Sequence, residues 1–160
     1  MNKLPKRKTI RIKDYDYSNP GAYFITICTA KREMLFWNNV GADIIRPQNI
    51  QLSRIGKIAE QGILQIETHY ENVFVDKYCI MPDHIHLILQ IKANENGQKL
   101  SNTTIPTIIG SLKRWVSKQV GKPLWQKSFF DHGIRNQQDY DEIWKYIDDN
   151  PLKYILEKAP

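Results

Sequence analysis

Apolar residues along the chain follow two periods, one typical of strands and one typical of helices. Five short segments are rich in β-branched and aromatic residues, which favour strands. They are residues 22–29 (AYFITICT), 34–37, 72–80, 83–91 and 124–130. The second segment follows the first closely enough to form a hairpin with it. The third and fourth are joined by a tight Met81-Pro82 connection, which predicts that they pair antiparallel.

Two further segments place apolar residues three and four positions apart, the spacing of an amphipathic helix. The first lies between Ser53 and Tyr70, and Ser53 is its expected N-cap. The second begins near Pro106, a residue well suited to a first helical turn, and ends at Gly121. Both helices therefore have an apolar face that needs a sheet or another helix to cover it.

A third helix is predicted over residues 139–149. The apolar stripe that we expect to face the core consists of Tyr140, Ile143, Trp144 and Ile147. The helix should end at Asn150, because Pro151 disfavours helical geometry in the residue that precedes it.

The order strand, helix, strand, strand, helix, strand, helix is that of a split βαβ fold. It predicts an α+β protein of the ferredoxin-like (RRM-like palm) type, an antiparallel sheet with helices on one face. A chain of 160 residues with 41% apolar residues suits one domain. We expect residues 1–13 to be a flexible basic arm, residues 14–160 to be the single domain, and the polar residues 92–103 to be a loop.

The formal net charge is +6, and the cations are clustered. The cations expected to contact a polyanion are Lys6, Arg7, Lys8 and Arg11 in the arm, and Lys113, Arg114 and Lys118 on the second helix. Such clusters favour nucleic acid as a partner, although a solvated tail and a polar helix face would give the same pattern. Two cysteines without CxxC spacing and the lack of a long apolar segment predict a cytoplasmic protein with no membrane partner.

The sequence His84-Ile85-His86 is the sharpest local motif. On a strand, both imidazoles point to one face while Ile85 and Leu87 point to the other, which we expect to be the core. The histidines would then lie on the open side of the sheet, where two imidazoles can chelate a divalent cation. Two polar residues on the solvent-exposed face of a sheet would have the same spacing, so the motif alone leaves both interpretations open.

Tyr146 is a second candidate, because it falls beside the apolar stripe of the last helix and not within it. Asn150 lies four residues on, on the same helix face. A phenol is a poor nucleophile at neutral pH unless a cation polarises its target or a base removes its proton. The histidine pair would meet that need, while a surface tyrosine beside a helix-ending Asn is the alternative.

The block FFDHGIR holds two more candidates, His132 and Arg135. We expect both to contact DNA phosphates, and His132 could instead be a further metal ligand. A loop histidine with an ordinary hydrogen-bond partner is equally consistent with the sequence.

Four blocks resemble, in order and spacing, the REP-associated tyrosine transposases, which are related to the IS200-like transposases. These are HUH enzymes, named for two histidines that flank a hydrophobic residue. The blocks are DYDYSNPGAYFITICTAKR, MPDHIH, IIGSLKRWVSK and FFDHGIRNQQDYDEIWKYIDDNPLK. Asp83 departs from the pattern, because many relatives carry Asn there, and it adds a negative charge beside the first histidine.

The resemblance implies an activity and a site. His84 and His86 would be the HUH pair, Tyr146 the nucleophile, and Asn150 the group that completes the shell of a magnesium or manganese ion (Mg²⁺ or Mn²⁺). The implied activity is nicking and rejoining of single-stranded DNA beside a hairpin, such as a REP-like repeat, through a 5′-phosphotyrosine intermediate. The implied setting is the bacterial nucleoid, and the protein would act as a monomer or a homodimer.

Two other functions fit the same residues. One is a domesticated protein that binds structured DNA or RNA without catalysis, since a ferredoxin-like sheet also serves for binding alone. The other is a metal-dependent hydrolase in which a bound water attacks in place of Tyr146. Formation of a covalent adduct with DNA would distinguish the transposase hypothesis from both alternatives.

Overall fold

The computed structural model describes residues 20–38, 50–93 and 104–158. Four strands form one sheet: β1 (Gly21–Cys28), β2 (Val73–Ile80), β3 (His84–Ile91) and β4 (Phe130–Gly133). The strand order is β2-β3-β1-β4, and every neighbouring pair is antiparallel. This is the predicted ferredoxin-like sheet. The arm at residues 1–13 and most of the predicted 92–103 loop lie outside the described residues.

Three helices accompany the sheet: α1 (Arg54–His69), α2 (Ile105–Val120) and α3 (Gln137–Lys158). The predicted N-cap of α1 is confirmed, because the Ser53 hydroxyl oxygen accepts a hydrogen bond from the Gly56 amide at 3.0 Å. The predicted end of α2 is confirmed as well. Gly121 follows the helix with a φ of 89°, a left-handed conformation that glycine adopts without steric cost.

The main core lies between one face of the sheet and the pair α1 and α2. Side chains of β1 and β3 that alternate toward this face, among them Ile25 and Leu87, are fully buried with Ile63 of α1 and Ile109 of α2. The other face of the sheet carries Phe24, and α3 crosses it with Tyr146 against the Phe24 ring. The sheet carries α1 and α2 on one face. The prediction that all helices lie on one face is wrong for α3, which covers the opposite face because Tyr146 packs against Phe24 there and Ile147 is buried.

The predicted hairpin between residues 22–29 and 34–37 is wrong. Strand β1 is central, and both of its edges are already paired, with β3 and with β4. The chain instead turns at Ala30–Arg32 into a short 3-10 helix. The amides of Leu35 and Phe36 then donate to the Pro82 carbonyl at 2.9 and 3.1 Å, which ties this segment to the turn before β3.

The predicted end of α3 at Asn150 is also wrong, because the helix continues through Pro151 to Lys158. A proline inside a helix removes one backbone hydrogen bond. That loss is offset by the last two turns, where Ile155 is 4% exposed within the core and Tyr154 packs edge-on against Trp37 at 5.4 Å.

The predicted core stripe of α3 is only partly correct. Ile147 is buried, but Tyr140 and Ile143 are half-buried and Trp144 is exposed. These turns of α3 are held by polar contacts with the edge strand β2 and not by burial in the core. The Tyr140 hydroxyl donates to Asp76 at 2.7 Å, and the Lys77 ammonium lies 4.2 Å from the centre of the Trp144 ring.

The predicted strand 124–130 is displaced along the chain. Within it, Trp125 makes an isolated bridge with Thr29, and β4 begins at Phe130. The cause is again the edge of β1, where residues 130–133 pair with residues 23–26. The segment before β4 is left to run along the cleft described below.

Gly56 allows α1 to approach the segment that precedes it. A Cβ at this position would lie 2.2 Å from the Phe36 carbonyl oxygen, a backbone atom that cannot move aside cheaply. We expect Gly56→Ala to lower the free energy of unfolding by roughly 1–3 kcal/mol. Gly110→Ala is the matched control, because its Cβ would meet only the end of the Arg114 side chain at 3.6 Å. The control should raise stability by about 0.5–1 kcal/mol. Urea denaturation measures both, and equal shifts would contradict the packing described here.

Candidate active site

The two histidines of the HxH motif open strand β3 and point to the same face of the sheet. Their ring centroids lie 4.7 Å apart, and Ile85 between them is buried on the opposite face. Across the sheet, Cys28 pairs with His84 and Thr26 with His86. The expectation that this face is open is wrong for His86, which is only 4% exposed, because α3 lies across it.

His86 has one satisfied and one unsatisfied ring nitrogen. Its Nδ1 lies 2.9 Å from the Thr26 hydroxyl oxygen, whereas its Nε2 is buried and has no hydrogen-bond partner within residues 20–38, 50–93 and 104–158. Burial, followed by the nearby charges of His84 and Arg32, lowers the pKa of His86 to about 3. The ring is therefore neutral at neutral pH. When Nδ1–H donates to Thr26, the Nε2 atom carries a lone pair that none of the described residues uses.

The depressed pKa of His86 predicts a pH dependence of stability. Between about pH 6.5 and about pH 3, the unfolded chain binds a proton that the folded chain excludes. The free energy of unfolding should therefore fall as the pH falls, by up to about 1.4 kcal/mol per pH unit from this group. Urea denaturation of the EDTA-treated protein measures the slope. His86→Phe should reduce the slope, and an unchanged slope in that variant would contradict the buried neutral imidazole.

His84 is held by its neighbour in the chain. Its Nδ1 lies 2.7 Å from one carboxylate oxygen of Asp83, and the other oxygen accepts from Nε of Arg32 at 2.8 Å. Burial alone would raise the pKa of Asp83, but hydrogen bonds from His84 and Arg32 outweigh it and lower that pKa below its ordinary value. Asp83 is thus an anion at neutral pH, and the negative charge expected beside the first histidine is balanced by Arg32.

Tyr146 reaches the histidine pair from α3. Its ring centroid lies 5.5 Å from that of His86 and 6.2 Å from that of Phe24, both in edge-on arrangements. Tyr146 is 50% exposed, so this residue is open to solvent as well as to the histidine pair. Asn150, one helical turn later, has a buried Nδ2 without a hydrogen-bond partner in the part of the chain that the structure describes. Rotating that amide by half a turn would present its oxygen to the same space.

All four predicted central residues line one cleft of about 1020 Å³: His84, His86, Tyr146 and Asn150. The structure adds residues to the cleft that were not predicted as site residues, which are Lys31, Arg32, Lys127 and Phe130 among others. Strand alternation could have placed Thr26 and Cys28 there, because they pair with the two histidines. Arg32 carried no comparable signal, since it lies in a turn that the sequence pattern suggested was part of a hairpin.

The residues of the cleft fit a divalent cation with an incomplete protein shell. No three His, Cys, Asp or Glu side chains within residues 20–38, 50–93 and 104–158 converge as a metal-binding group. What the cleft offers is an unused buried nitrogen on His86, the neighbouring imidazole of His84 and the amide of Asn150. Such a set leaves coordination positions for water and phosphate oxygens, which suits a magnesium or manganese ion that acts on a phosphate.

The predicted DNA contacts on α2 are not brought to the cleft. This helix packs on the opposite face of the sheet, and Arg114 and Lys118 are exposed there. The Lys113 ammonium instead donates to the carbonyls of Gln126 and Ser128, at 2.9 Å each. Lys113 thus stabilises the segment that borders the cleft.

The two candidates from FFDHGIR lie near the start of α3. His132 Nε2 is 2.8 Å from an Asp139 carboxylate oxygen, which also accepts from the Arg135 amide at 3.2 Å. His132 is not among the residues that line the cleft around His84 and His86. The four arm cations, Lys6, Arg7, Lys8 and Arg11, lie outside the described residues.

Comparison with known proteins places this arrangement in a family. Residues 22–150 match the family model described as "Transposase IS200 like". The chain is 32% identical over 165 residues to an uncharacterized protein of Haemophilus influenzae, covering 91% of this chain and 88% of that protein. It is 27% identical over 85 residues to a REP-associated tyrosine transposase of Escherichia coli, covering 50% of this chain and 45% of that protein.

A solved structure has the same fold. It is that of a REP-associated tyrosine transposase bound to a REP hairpin, with a TM-score of 0.58, 20% identity, and coverage of 89% of this chain and 74% of that one. The chain therefore belongs to the IS200-like transposase family, and the resemblance stated from its four sequence blocks is confirmed. Membership assigns it a transposase-type function in DNA processing. Within the described ranges, no helix combines the length and apolar character that crossing a bilayer requires.

Proposed function

We propose that this protein nicks and rejoins single-stranded DNA beside a hairpin, with Tyr146 as the nucleophile and a magnesium or manganese ion held by His84, His86 and Asn150. One observation carries the proposal: the buried Nε2 of His86 has no hydrogen-bond partner among the described residues, and the Tyr146 ring packs edge-on against the same imidazole. An unsatisfied buried polar atom costs stability, so its retention points to a ligand.

The three protein ligands would hold the cation, and the cation would act on the scissile phosphate. Both imidazoles would ligate through nitrogen in their neutral form, and Asn150 would contribute its amide oxygen. When bound, the cation would polarise the phosphate and stabilise the charge that grows in the transition state. Lys31 and Lys127, which line the same cleft, would add attraction for the DNA backbone.

The covalent step exchanges one phosphate ester for another. The Tyr146 oxygen bonds to phosphorus as the bond from phosphorus to the 3′ oxygen breaks, and the phenolic proton ends on the released 3′-hydroxyl after passing through solvent. The DNA 5′ phosphate stays on Tyr146 as a phosphotyrosine. The second step is the reverse reaction with a different 3′-hydroxyl, so the two esters exchange without an external energy source.

The proposed substrate is a single strand next to a short hairpin. The cleft has a volume of about 1020 Å³ and includes the half-exposed Tyr146, and an unpaired strand would reach it without the cost of separating a duplex. The related structure with a REP hairpin supports the same class of substrate. We further propose that residues 14–160 act as one domain at the bacterial nucleoid, with the basic arm adding backbone contacts.

The test is an adduct assay with a hairpin-tailed single strand and Mg²⁺ or Mn²⁺. A protein–DNA species that survives denaturing electrophoresis, and that EDTA prevents, is the expected result. Salt-dependent binding of the hairpin without any adduct would support the non-catalytic binder. Cleavage without an adduct would support a hydrolase that activates water. Either outcome would overturn the proposed mechanism.

A further inference from the structure

The turn that follows β1 holds two consecutive residues in an unusual conformation. Lys31 and Arg32 have φ values of 54° and 55°, in the left-handed region that residues other than glycine rarely occupy. Such strain persists where surrounding contacts enforce it, and it is concentrated at functional sites. Here Thr29 anchors the turn: it is fully buried, and its hydroxyl shares its one hydrogen between the carbonyl oxygens of Glu33 and Asp83, at 2.8 and 3.1 Å.

In this conformation the Arg32 side chain contacts Asp83, the residue that precedes the first histidine. Its Nε donates to Asp83 Oδ2 at 2.8 Å, and its Nη1 donates to Cys28 Sγ at 3.0 Å. The Arg32 side chain is half exposed, yet two of its nitrogens have partners, at the last residue of β1 and at the residue before β3. Asp83 therefore stands between Arg32 on one side and His84 on the other.

The distances decide which tautomer His84 adopts. Its Nδ1 lies 2.7 Å from Asp83 Oδ1 and 3.5 Å from Arg32 Nη2. The carboxylate can only accept and the guanidinium can only donate, so the two neighbours favour opposite tautomers. The shorter contact prevails because it is a hydrogen bond to a charged acceptor, and at 3.5 Å little interaction remains. Nδ1 thus carries the hydrogen, and the Nε2 lone pair is left for a ligand.

We propose that Arg32 is a positioning residue for the metal site. It holds the Asp83 carboxylate against His84, which fixes the ring with Nδ1–H on the carboxylate and Nε2 available to a divalent cation. This inference rests on the function proposed above, since it assigns a role within the same site. Groups that orient a metal-binding histidine in this way typically change metal affinity by about 10–100-fold when they are removed.

A double-mutant cycle tests whether Arg32 acts through Asp83. Arg32→Gln should lower the affinity for Mn²⁺, measured by the electron paramagnetic resonance of free Mn²⁺, by about 10–100-fold. In an Asp83→Asn background the same change should cost about twofold or less, because the carboxylate that Arg32 holds is gone. Arg32→Lys keeps the charge without the planar fork and should give an intermediate affinity. Arg54→Gln is the matched control, because it makes the same change at an exposed arginine that does not line the cleft, and it should leave the affinity within about twofold.

A second readout does not depend on the metal. Nitrogen chemical shifts of the His84 ring in the EDTA-treated protein should show hydrogen on Nδ1 in the wild type and a mixture of tautomers in Arg32→Gln. Thermal unfolding checks that each variant is folded. If Arg32→Gln is unfolded, Arg32→Lys replaces it in both measurements.

The outcomes separate this inference from the proposed function. Equal loss of Mn²⁺ affinity from Arg32→Gln in both backgrounds, or an unchanged His84 tautomer, would overturn the positioning role alone. If His86→Phe bound Mn²⁺ as tightly as the wild type, the proposed metal site itself would be overturned, and the positioning role with it.

Discussion

Tyr146→Phe should reduce the yield of the covalent DNA adduct by at least about a thousandfold, because removal of a nucleophile eliminates the reaction it performs. Phenylalanine keeps the ring that packs edge-on against His86 and Phe24. The hydroxyl belongs to a half-exposed side chain, so the free energy of unfolding should change by about 0.5 kcal/mol or less. Hairpin binding should also persist, since the cations proposed to attract the DNA backbone, Lys31 and Lys127, are unchanged.

Tyr154→Phe is the matched control, because Tyr154 lies on the same helix and lines the same cleft. Its ring packs against Trp37, and its hydroxyl points to Met34 Sδ at 3.8 Å. Burial raises the pKa of Tyr154, which disfavours its nucleophilic phenolate form. We expect the control to retain its adduct yield within about threefold. An adduct that survives Tyr146→Phe and is lost in Tyr154→Phe would transfer the role to the other tyrosine.

His86→Phe should abolish both cation binding and adduct formation. The buried Nε2 is the clearest unused ligand atom in the cleft, so its removal should exceed the 10–100-fold effect typical of groups that only support a ligand. Phenylalanine is similar in shape and can keep the stacking of His86 on Phe24, whose centroids lie 5.3 Å apart. The variant should therefore fold.

Stability gives the second half of the His86 prediction. The variant loses the contact with Thr26 but also removes a buried polar atom that has no partner among the described residues. Its unfolding temperature in EDTA should therefore be close to that of the wild type. Adding Mn²⁺ should raise the unfolding temperature of the wild type and not that of the variant, because only a folded protein with the ligand set gains binding energy. His132→Gln should respond like the wild type, since His132 bonds to Asp139 away from the cleft. An equal response in His86→Phe would contradict the assigned site.

The sequence pattern predicted what depends on local periodicity. Alternation on β3 placed both histidines on one face, and the helical spacing of Tyr146 and Asn150 placed both on one side of α3. The N-cap at Ser53 and the left-handed Gly121 followed from the same kind of local chemistry.

The predictions that were wrong share a different cause: they depended on tertiary contacts that local sequence does not reveal. Residues 34–37 could not be excluded as a strand until both edges of β1 were known to be occupied. Pro151 marks a helix end by its own geometry, and only the burial of Ile155 in the core explains why α3 continues. Arg32 reaches Asp83 across 51 positions of sequence, through a turn whose left-handed residues have no signature in residue type.

The most direct measurement is to locate the attached nucleotide by mass spectrometry of the trypsin-digested adduct. Trypsin cleaves after Lys145 and Lys153, so Tyr146 lies on peptide 146–153 and Tyr154 on peptide 154–158. The proposed mechanism predicts a nucleotide phosphate on the tyrosine of peptide 146–153, formed only when Mg²⁺ or Mn²⁺ is present. A nucleotide on a different tyrosine, or cleaved DNA with no modified peptide, would contradict it.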